Sequence, residues 1–397
     1  MRVAIVGTGP AALYAAAELS ELRGVEVTLV ERLPTPFGLL RAGVAPDHER
    51  TREMADRFAW VLRRPNVTCL FDAELGRDVT VAELASHHHA VICATGASGD
   101  RRLGVPGEDL PGSVTAREFV GWYNGHPDFA ERQFDFSGSR AVVLGNGNVA
   151  FDVARILTRP AADFERTAMA GHAVAALRGS GIEQVQLVAR RGPASAACST
   201  AELLELSRLP GVDLMAVAGE TVIPDEVLRA APAPVARRLD IVRAAASRIP
   251  IEPRRVVLRF GLTPVALRGD DEVSEVEFAH RDGTTETIAT SLVVRAIGFR
   301  GEAVPGLPFD ERVAVVPNER GRVIDPGTGV PLPGLYCTGW IKRGPSGVIG
   351  TNRADAAETV AALLEDVANG LLPEPSHGGH RLIELVRSRR MERTGRL

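Results

Sequence analysis

Short apolar runs alternate along the chain with alanine-rich segments of helical periodicity. Val3–Val6 predicts a buried strand, the next segment predicts a helix through about Leu22, and Glu26–Val30 predicts a second strand. A glycine-rich turn, Gly7 to Ala12, joins the first strand to the helix. This order is typical of a βαβ unit with parallel strands.

The same order recurs further along the chain. Ala141–Leu144 predicts a strand, a second glycine-rich turn and a helix through about Leu157 follow, and Val185–Ala189 predicts the next strand. An insertion, around 159–181, lies in this crossover. We therefore predict an α/β fold with two Rossmann-like dinucleotide-binding domains of the three-layer ββα/βαβ type.

Two stretches rich in glycine and proline, 104–112 and 321–333, mark where the chain passes between the domains. We expect a first domain made of 1–105 and 326–397, with a second domain, 106–325, inserted into it. The tail after about Pro373 predicts a further, basic helix. Its arginines are Arg387, Arg389, Arg390, Arg393 and Arg396.

The composition is that of a globular protein without polycationic character. Of 397 residues, 45% are hydrophobic and 24% charged, and the formal net charge is −4, so we expect no nucleic-acid partner. The sequence has no apolar run of about 18 residues, so we expect no membrane insertion. It enters a strand pattern at its first residues and leaves no leader segment, so we expect a cytoplasmic protein, with a monomer as the default.

Neither thiol nor metal chemistry is indicated. None of the cysteines forms a CxxC pair, so a redox-active dithiol or a cysteine-ligated cluster is not expected. Cys93 and Cys337 lie inside apolar, strand-like runs. His87–His89, just before the predicted strand Ala90–Ala94, has no second group of ligands and is interpreted as a solvent-facing turn. Any electrons handled here must be carried by an organic cofactor.

The first glycine-rich turn has the residues that a dinucleotide needs. Gly7 lets the chain leave the strand sharply, Gly9 leaves room for a pyrophosphate, and Ala12 lets the helix lie close to the sheet. Glu31 closes the next strand, where an acid accepts hydrogen bonds from ribose hydroxyls and repels a 2′-phosphate. The set favours FAD or NAD over NADP. The alternative is a purely structural glycine turn.

The second turn follows the same logic but its unit ends differently. Gly145, Gly147 and Ala150 repeat the spacing, whereas Arg190 and Arg191, not an acid, follow the strand. Two guanidiniums there can hold a 2′-phosphate with charge-assisted hydrogen bonds. We interpret this unit as an NADPH site. The alternative is a solvated basic turn.

Two loops, 36–48 and 338–352, are too rich in glycine and proline for regular structure, yet contain His48 and Trp340. Gly347–Ile349 precedes a predicted helix that runs from Asn352 to about Leu364. Backbone N–H groups at this point could face the electron-rich end of a reduced flavin.

These pieces together resemble the adrenodoxin reductase family of ferredoxin–NADP reductases, including its bacterial members. The resemblance runs from Val3 to about Asp366 and includes GTGPAALYAA, PFGLLRAGVAPDH, VLGNGNVAFDVARIL, VARRGP and GWIKRGPSGVIGTNRADA. It implies that the first domain holds FAD, that the second holds NADPH, and that a ferredoxin-type iron–sulfur protein accepts the electrons.

The resemblance also implies which residues contact the cofactors. On the FAD side the candidates are Gly7, Gly9, Pro10, Ala11, Ala12, Glu31, Gly38, Leu39, Arg41, Val44, Leu75, Ala94, Thr95, Gly96, Trp340, Gly347, Val348 and Ile349. On the NADP side they are Asn146, Gly147, Asn148, Val149, Arg190, Arg191 and Glu202. Leu75 is expected on a strand before Gly76.

His48 and Glu202 are the candidate catalytic residues, since the resemblance implies that their equivalents lie near the contact between flavin and nicotinamide. Hydride transfer needs no general acid, but passing two electrons onward singly releases a proton that a histidine can carry. The alternatives are a histidine that satisfies a loop carbonyl and a structural glutamate.

The chain departs from the family pattern in three places, 194–200, 224–248 and the short tail, which bear on the nicotinamide contacts and the partner-binding face. Alternative enzymes are a flavin monooxygenase and an oxidoreductase like the small subunit of glutamate synthase. The non-enzyme alternative is a flavoprotein that senses NADPH without turnover.

Overall fold

A computed structural model describes residues 1–394, so Arg396 of the basic tail lies outside the described residues. The chain forms two compact units. The terminal unit consists of Met1–Val44, His48–Gly99 and the chain from Phe299 onward; the middle unit consists of Ala45–Asp47 and Asp100–Gly298. The middle unit is thus inserted into the terminal one. The predicted domain limits, after 105 and 325, lie later in the chain and remain a prediction.

The strands of the described residues are, in chain order, β1 (Arg2–Val6), β2 (Glu26–Val30), β3 (Val67–Leu70), β4 (Ala90–Cys93), β5 (Gly99–Asp100), β6 (Ser113–Thr115), β7 (Arg140–Leu144), β8 (Gln184–Ala189), β9 (Val212–Ala216), β10 (Arg254–Phe260), β11 (Thr263–Arg268), β12 (Glu275–Ala279), β13 (Thr285–Ala289), β14 (Leu292–Arg295), β15 (Phe299–Arg300), β16 (Asn318–Glu319), β17 (Arg322–Ile324) and β18 (Pro331–Cys337).

The α-helices are α1 (Pro10–Ser20), α2 (Leu39–Ala42), α3 (Glu49–Arg52), α4 (Met54–Leu62), α5 (Val81–His87), α6 (Ala116–Tyr123), α7 (Asn148–Thr158), α8 (Gly171–Arg178), α9 (Thr200–Ser207), α10 (Asp225–Ala230), α11 (Ala233–Ala246), α12 (Trp340–Arg343), α13 (Thr351–Ala368) and α14 (Gly379–Thr394). Single 3₁₀ turns cover Ala161–Phe164, Pro193–Ser195 and Ala218–Glu220. Among the described residues, no helix is both long and apolar enough to cross a bilayer.

The terminal unit is built on a seven-stranded sheet in the order β16-β17-β18-β4-β1-β2-β3. From β18 to β3 the neighbours are parallel. Side chains of β1 alternate between the two faces, as the period of a strand requires. Val3 and Ile5 pack with α1 and α13, whereas Ala4 and Val6 pack on the face that carries α5 and α14.

Helix α14 covers this second face, so the basic tail contributes to the core. Leu382 and Val386, one helical turn apart, are 0% and 1% exposed. Arg389 forms an ion pair with Glu83 at 2.7 Å, and Arg393 forms one with Asp78 at 3.0 Å. A helix was expected from the tail, but its docking was not.

The middle unit is built on a six-stranded sheet in the order β6-β14-β7-β8-β10-β9, with parallel neighbours throughout. Ala141 and Val143 face a layer of helices that includes α7. Val142 and Leu144 face the antiparallel sheet β11-β12-β13. These helix, sheet and antiparallel layers are the predicted three-layer arrangement, and the inserted helix α8 occupies the long crossover.

Three expectations about local structure are wrong. Leu75 lies in a turn, where it forms an isolated bridge with Val79, and not on a strand. The loops 36–48 and 338–352 were expected to lack regular structure, but each contains a single helical turn, α2 in the first and α12 in the second.

The third concerns His87–His89, which is not a solvent-facing turn. His87 ends α5, and His88 is 1% exposed. Its ring nitrogens lie 2.9 Å from the Leu84 carbonyl oxygen and 3.0 Å from Thr28 Oγ1. Burial lowers the pKa of His88 to about 4, so this side chain is a neutral part of the core.

Candidate functional site

The first glycine-rich turn brings the ends of β1, β2 and β4 together. Gly7 has a φ of +104° and its N–H donates to the Val30 carbonyl at 2.7 Å. A β-carbon on Gly7 would lie 2.6 Å from the Ala94 carbonyl oxygen, so only glycine fits. Thr95 and Gly96 continue from Ala94 at the same sheet edge.

Helix α1 begins beside this turn with its first N–H groups available. Gly9 is its N-cap, Pro10 follows, and no side-chain oxygen of the described residues caps it. The space where a β-carbon of Gly9 would lie is open to 4 Å among the described atoms. Helices α5 and α6, in contrast, begin with capping boxes at Thr80 and Thr115. An open helix N-terminus with no side chain in front of it fits a phosphate group.

The loop that carries Leu39 and Arg41 packs on the same turn. Phe37 has a φ of +87° and donates its N–H to the Thr8 carbonyl at 3.1 Å. A β-carbon on Gly38 would lie 3.0 Å from the α-carbon of Gly9. Val44 follows α2 in this loop, and its carbonyl accepts from Arg52 Nη1 at 2.7 Å.

Glu31 directly follows β2, as predicted, and its carboxylate stabilises the first glycine-rich turn by hydrogen bonds. One carboxylate oxygen accepts from the Thr8 N–H and hydroxyl at 2.9 and 2.6 Å, and the other accepts from the Leu33 N–H at 2.9 Å. Since an ionised carboxylate has about four acceptor positions, room is left for a ribose hydroxyl. Contact with ribose remains a prediction.

The C-terminal loop is anchored by Asp355, which the sequence reading missed. Its Oδ2 accepts from the Gly339 N–H and from the Thr338 hydroxyl at 3.2 Å, and its Oδ1 lies 3.0 Å from Lys342 Nζ. A β-carbon on Gly339 would lie 2.8 Å from that of Ala11. The loop therefore packs against the first turn of α1.

Trp340 and the segment Gly347–Ile349 lie on this anchored loop. The Trp340 indole N–H donates to the Ser346 carbonyl at 3.1 Å, and its ring lies 5.5 Å from that of Phe299. Gly347 has a φ of +82°, and Val348 donates its N–H to Thr351 Oγ1 at 3.1 Å. Val348 is 70% exposed. Helix α13 begins at Thr351, one residue before the predicted start.

The second glycine-rich turn repeats the first in the middle unit. Gly145 has a φ of +133°, and its N–H donates to the Val188 carbonyl at 2.8 Å. A β-carbon there would collide with the Ala296 carbonyl. Gly147 is the N-cap of α7, which has no side-chain cap, and the space in front of it is open among the described atoms.

Asn146 and Asn148 hold the divergent stretch 194–200 against this turn. Asn146 Oδ1 accepts from the Ala197 N–H at 3.4 Å, and Asn148 Oδ1 accepts from the Ser199 N–H at 2.8 Å. Ser199 caps α9 by accepting from the Glu202 N–H at 3.1 Å. Glu202 therefore lies in the first turn of α9, beside the open end of α7. Val149, in the first turn of α7, is partly buried.

A buried arginine, also missed by the sequence reading, holds Glu202. Arg155 is 1% exposed and lies 2.7 Å from Asp47, 2.7 Å from Asp152 and 3.5 Å from Glu202. Burial alone lowers the pKa of Arg155, but the hydrogen bond that Arg155 donates to Asp47 and the charge of Asp152 outweigh it and raise the pKa above its ordinary value. Arg159 also binds Asp47, at 2.9 Å.

Arg190 and Arg191 follow β8 directly, as predicted, and both side chains are exposed. No carboxylate of the described residues pairs with either guanidinium. The pair is therefore available to an anion at the end of β8.

His48 is the N-cap of α3. Its carbonyl oxygen accepts from the N–H groups of Thr51 and Arg52 at 3.0 and 3.1 Å. Arg52 in turn donates to the carbonyls of Val44 and Arg41 at 2.7 and 3.1 Å. His48 belongs to the terminal unit and Glu202 to the middle unit, and a shared role for the two remains a prediction.

Both glycine-rich turns fit the pyrophosphate of a dinucleotide. Each offers an open helix N-terminus and a glycine whose missing side chain leaves room for a pyrophosphate. An acid follows the second strand in one unit and two arginines follow it in the other, which suits free ribose hydroxyls in the first and a 2′-phosphate in the second.

Residues 1–339 match the pyridine nucleotide-disulphide oxidoreductase family. NADPH-ferredoxin reductase FprA of Mycobacterium tuberculosis is 42% identical over 389 residues, covering 92% of this chain and 84% of that protein. The mitochondrial NADPH:adrenodoxin oxidoreductase of Arabidopsis thaliana is 38% identical, covering 99% and 88%. A solved structure of M. tuberculosis FprA in complex with NADPH is similar, with a TM-score of 0.91 at 40% identity, over 98% of this chain and 90% of that one.

Proposed function

Since the chain belongs to the ferredoxin–NADP reductases of the adrenodoxin reductase type, within the pyridine nucleotide-disulphide oxidoreductase family, we propose that it oxidises NADPH and reduces a ferredoxin-type iron–sulfur protein. FAD and NADP are its cofactors. One observation carries the assignment of each nucleotide to its unit. Glu31 directly follows the strand after the first turn, whereas Arg190 and Arg191 directly follow the strand after the second.

The terminal unit binds FAD through its open turn. The N–H groups of α1 would face the pyrophosphate, and the remaining acceptor position of Glu31 would receive a ribose hydroxyl. When bound, FAD supplies the chemistry that accepts a hydride and releases electrons singly. The loop anchored by Asp355 carries Trp340 and Gly347–Ile349, and these residues would orient the ring system of FAD.

The middle unit binds NADPH through the same kind of open helix N-terminus and in addition selects NADPH over NADH. The N–H groups of α7 and the side chains of Asn146 and Asn148 lie at the pyrophosphate, and Arg190 and Arg191 bind the 2′-phosphate. Arg155, 3.5 Å from Glu202, fixes the position of that carboxylate. His48 and Glu202 hold and move the proton that is released when electrons leave one at a time.

We also propose the cytoplasm as the compartment and the monomer as the working state. All four cysteines are free thiols, which suits a reducing compartment. Sedimentation of the purified FAD-loaded protein tests the second point, because a dimer would sediment as a clearly heavier species.

Replacement of Arg190 and Arg191 by alanine tests the NADPH site. Each charge-assisted hydrogen bond contributes about 1.5–3 kcal/mol, so the double variant should lose about two to four orders of magnitude in kcat/KM for NADPH. The same value for NADH, measured on the same sample with ferricyanide as acceptor, should stay within about twofold, since NADH lacks the phosphate. Equal use of NADPH and NADH by the parent protein would contradict the assignment.

The acceptor is tested by adding iron–sulfur proteins from the same source to the NADPH-treated protein and following cytochrome reduction. Rapid reduction through a ferredoxin, with slow oxygen consumption, is expected. Rapid oxygen consumption coupled to hydroxylation of an organic substrate would instead favour a monooxygenase. NADPH binding without reduction of any acceptor would favour a sensor.

A further inference from the structure

A third arginine lies beside the end of β8. Arg281 comes from the turn between β12 and β13, and its Nη2 atom lies 3.8 Å from the position of a β-carbon on Gly192. Its Nε lies 3.6 Å from the corresponding position on Gly261. Since Gly192 directly follows Arg190 and Arg191, the Arg281 guanidinium lies against the segment that carries those two arginines.

The fold of the unit explains this proximity between distant parts of the sequence. Strands β8 and β10 are parallel neighbours, with Ala189 opposite Phe260. Arg190–Gly192 and Gly261 therefore leave the sheet at the same edge. The antiparallel sheet covers the adjacent face, and its β12–β13 turn reaches that edge.

The turn that carries Arg281 is itself held by hydrogen bonds. The His280 N–H donates to the Thr284 carbonyl at 2.8 Å, and Asp282 accepts from the Thr284 N–H at 3.0 Å and from its hydroxyl at 2.7 Å. Arg281 is therefore presented from an ordered turn, although its own side chain is exposed.

The charges at this edge are unbalanced. Arg190, Arg191 and Arg281 have no carboxylate partner among the described residues. The acids nearby are already engaged, since Glu220 and Glu286 both bind Arg259 at 2.6 Å. Three guanidiniums gathered without a counter-ion repel one another unless an anion joins them.

We propose that Arg281 is a third arginine that binds the 2′-phosphate of NADP and contributes to the preference for NADP over NAD. The inference rests on the proposed function of the middle unit and extends it to a residue outside the β8 turn. A phosphate monoester carries close to two negative charges and offers three acceptor oxygens, which suits three donors arriving from two segments. The Arg281 side chain lies within van der Waals distance of the β-carbon positions at both Gly192 and Gly261.

The test uses the full-length FAD-loaded protein and two probes, 2′,5′-ADP and 5′-AMP, which differ only in the 2′-phosphate. Calorimetric titration of Arg281→Ala should show binding of 2′,5′-ADP weakened about 10-fold or more, with 5′-AMP unchanged within about twofold. Arg281→Lys, which keeps the charge but not the planar fork, should fall between.

Arg268→Ala is the matched control. Arg268 lies at the opposite end of the same antiparallel sheet, where it is paired with Glu277, and its removal takes the same charge from the same layer. This variant should bind both probes like the parent protein.

The outcomes separate the two proposals. If Arg190→Ala weakens 2′,5′-ADP binding but Arg281→Ala and Arg281→Lys do not, the role of Arg281 is overturned and the NADPH site stands. If the parent protein binds the two probes equally, the NADPH assignment itself fails and the inference fails with it.

Discussion

Gly7 and Gly24 share a positive φ but differ in what surrounds them. A β-carbon on Gly7 would lie 2.6 Å from the Ala94 carbonyl oxygen, whereas one on Gly24 meets nothing within 4 Å. We expect Gly24→Ala to lower the free energy of unfolding by about 1 kcal/mol, the cost of the backbone conformation alone. Gly7→Ala should lower it by about 3 kcal/mol or more, because the turn must also shift.

Urea denaturation of the two variants measures this difference. Equal losses would mean that the contact with Ala94 relaxes without cost, and that Gly7 is required only for its backbone angle.

Arg155 is a residue whose removal should be costly for a different reason. Arg155→Met leaves Asp47, Asp152 and Glu202 without their shared buried cation, and losing one partner of a buried pair costs about 3–5 kcal/mol. Arg159→Met is the control, since Asp47 keeps Arg155; we expect a loss of about 1 kcal/mol there, as for a partly exposed pair. Denaturant unfolding at pH 7 compares the two, and similar losses would argue against a special role for Arg155.

At the scale of elements, α14 depends on acids of the segment it covers. A hydrogen bond from Arg389 lowers the pKa of Glu83 to about 2, from an ordinary value of 4.5, and Glu83 also caps α5 through Thr80. A lowered pKa in the folded state stabilises the protein above pH 4.5, and this contribution is lost as the pH falls toward 2.

We therefore expect Arg389→Gln to lower the free energy of unfolding by about 1 kcal/mol at pH 7, allowing for the partial exposure of the pair. The difference from the parent should shrink steadily below pH 4.5. Arg387→Gln, an exposed neighbour on the same helix, should change little at any pH. A loss for Arg389→Gln that is the same at pH 3 and pH 7 would show that packing, and not the ion pair, is responsible.

Elements that depend on local periodicity were predictable from the sequence, and elements that depend on distant partners were not. The strands β1, β2, β7 and β8, both glycine-rich turns, Glu31 and the Arg190–Arg191 pair lie where the pattern places them, because each signal lies within one βαβ unit. The docking of α14, the anchor Asp355 and the cation Arg155 depend on chain segments far apart in sequence. The prediction for His87–His89 was wrong because a run of polar residues does not reveal that His88 has hydrogen-bond partners, Thr28 and Leu84, inside the core.

For the whole molecule, the two open glycine-rich turns predict that a substitution in one turn abolishes binding of one nucleotide and leaves binding of the other intact. Gly9 and Gly147 both have extended backbone angles that any residue adopts, and a β-carbon on either meets nothing within 4 Å among the described atoms. Gly9→Val and Gly147→Val should therefore fold like the parent protein, while their side chains occupy the space proposed for a pyrophosphate.

We expect Gly9→Val to lose bound FAD, measured from the visible absorbance of the purified protein, and to keep its affinity for 2′,5′-ADP. Gly147→Val should keep FAD and lose affinity for NADP by at least about 10-fold. Loss of both nucleotides in either variant, at unchanged thermal stability, would contradict the assignment of one nucleotide to each unit.

The insertion of the middle unit has a consequence for synthesis on the ribosome. Every strand of the six-stranded sheet is translated before β18, the direct neighbour of β4. The middle unit can therefore complete its sheet before the terminal unit does. Until β18 is made, the β4 edge of the terminal sheet has no neighbouring strand. Capture of the flavin therefore becomes a late event, since a chain truncated after Gly298 would contain the complete six-stranded sheet but would lack β18.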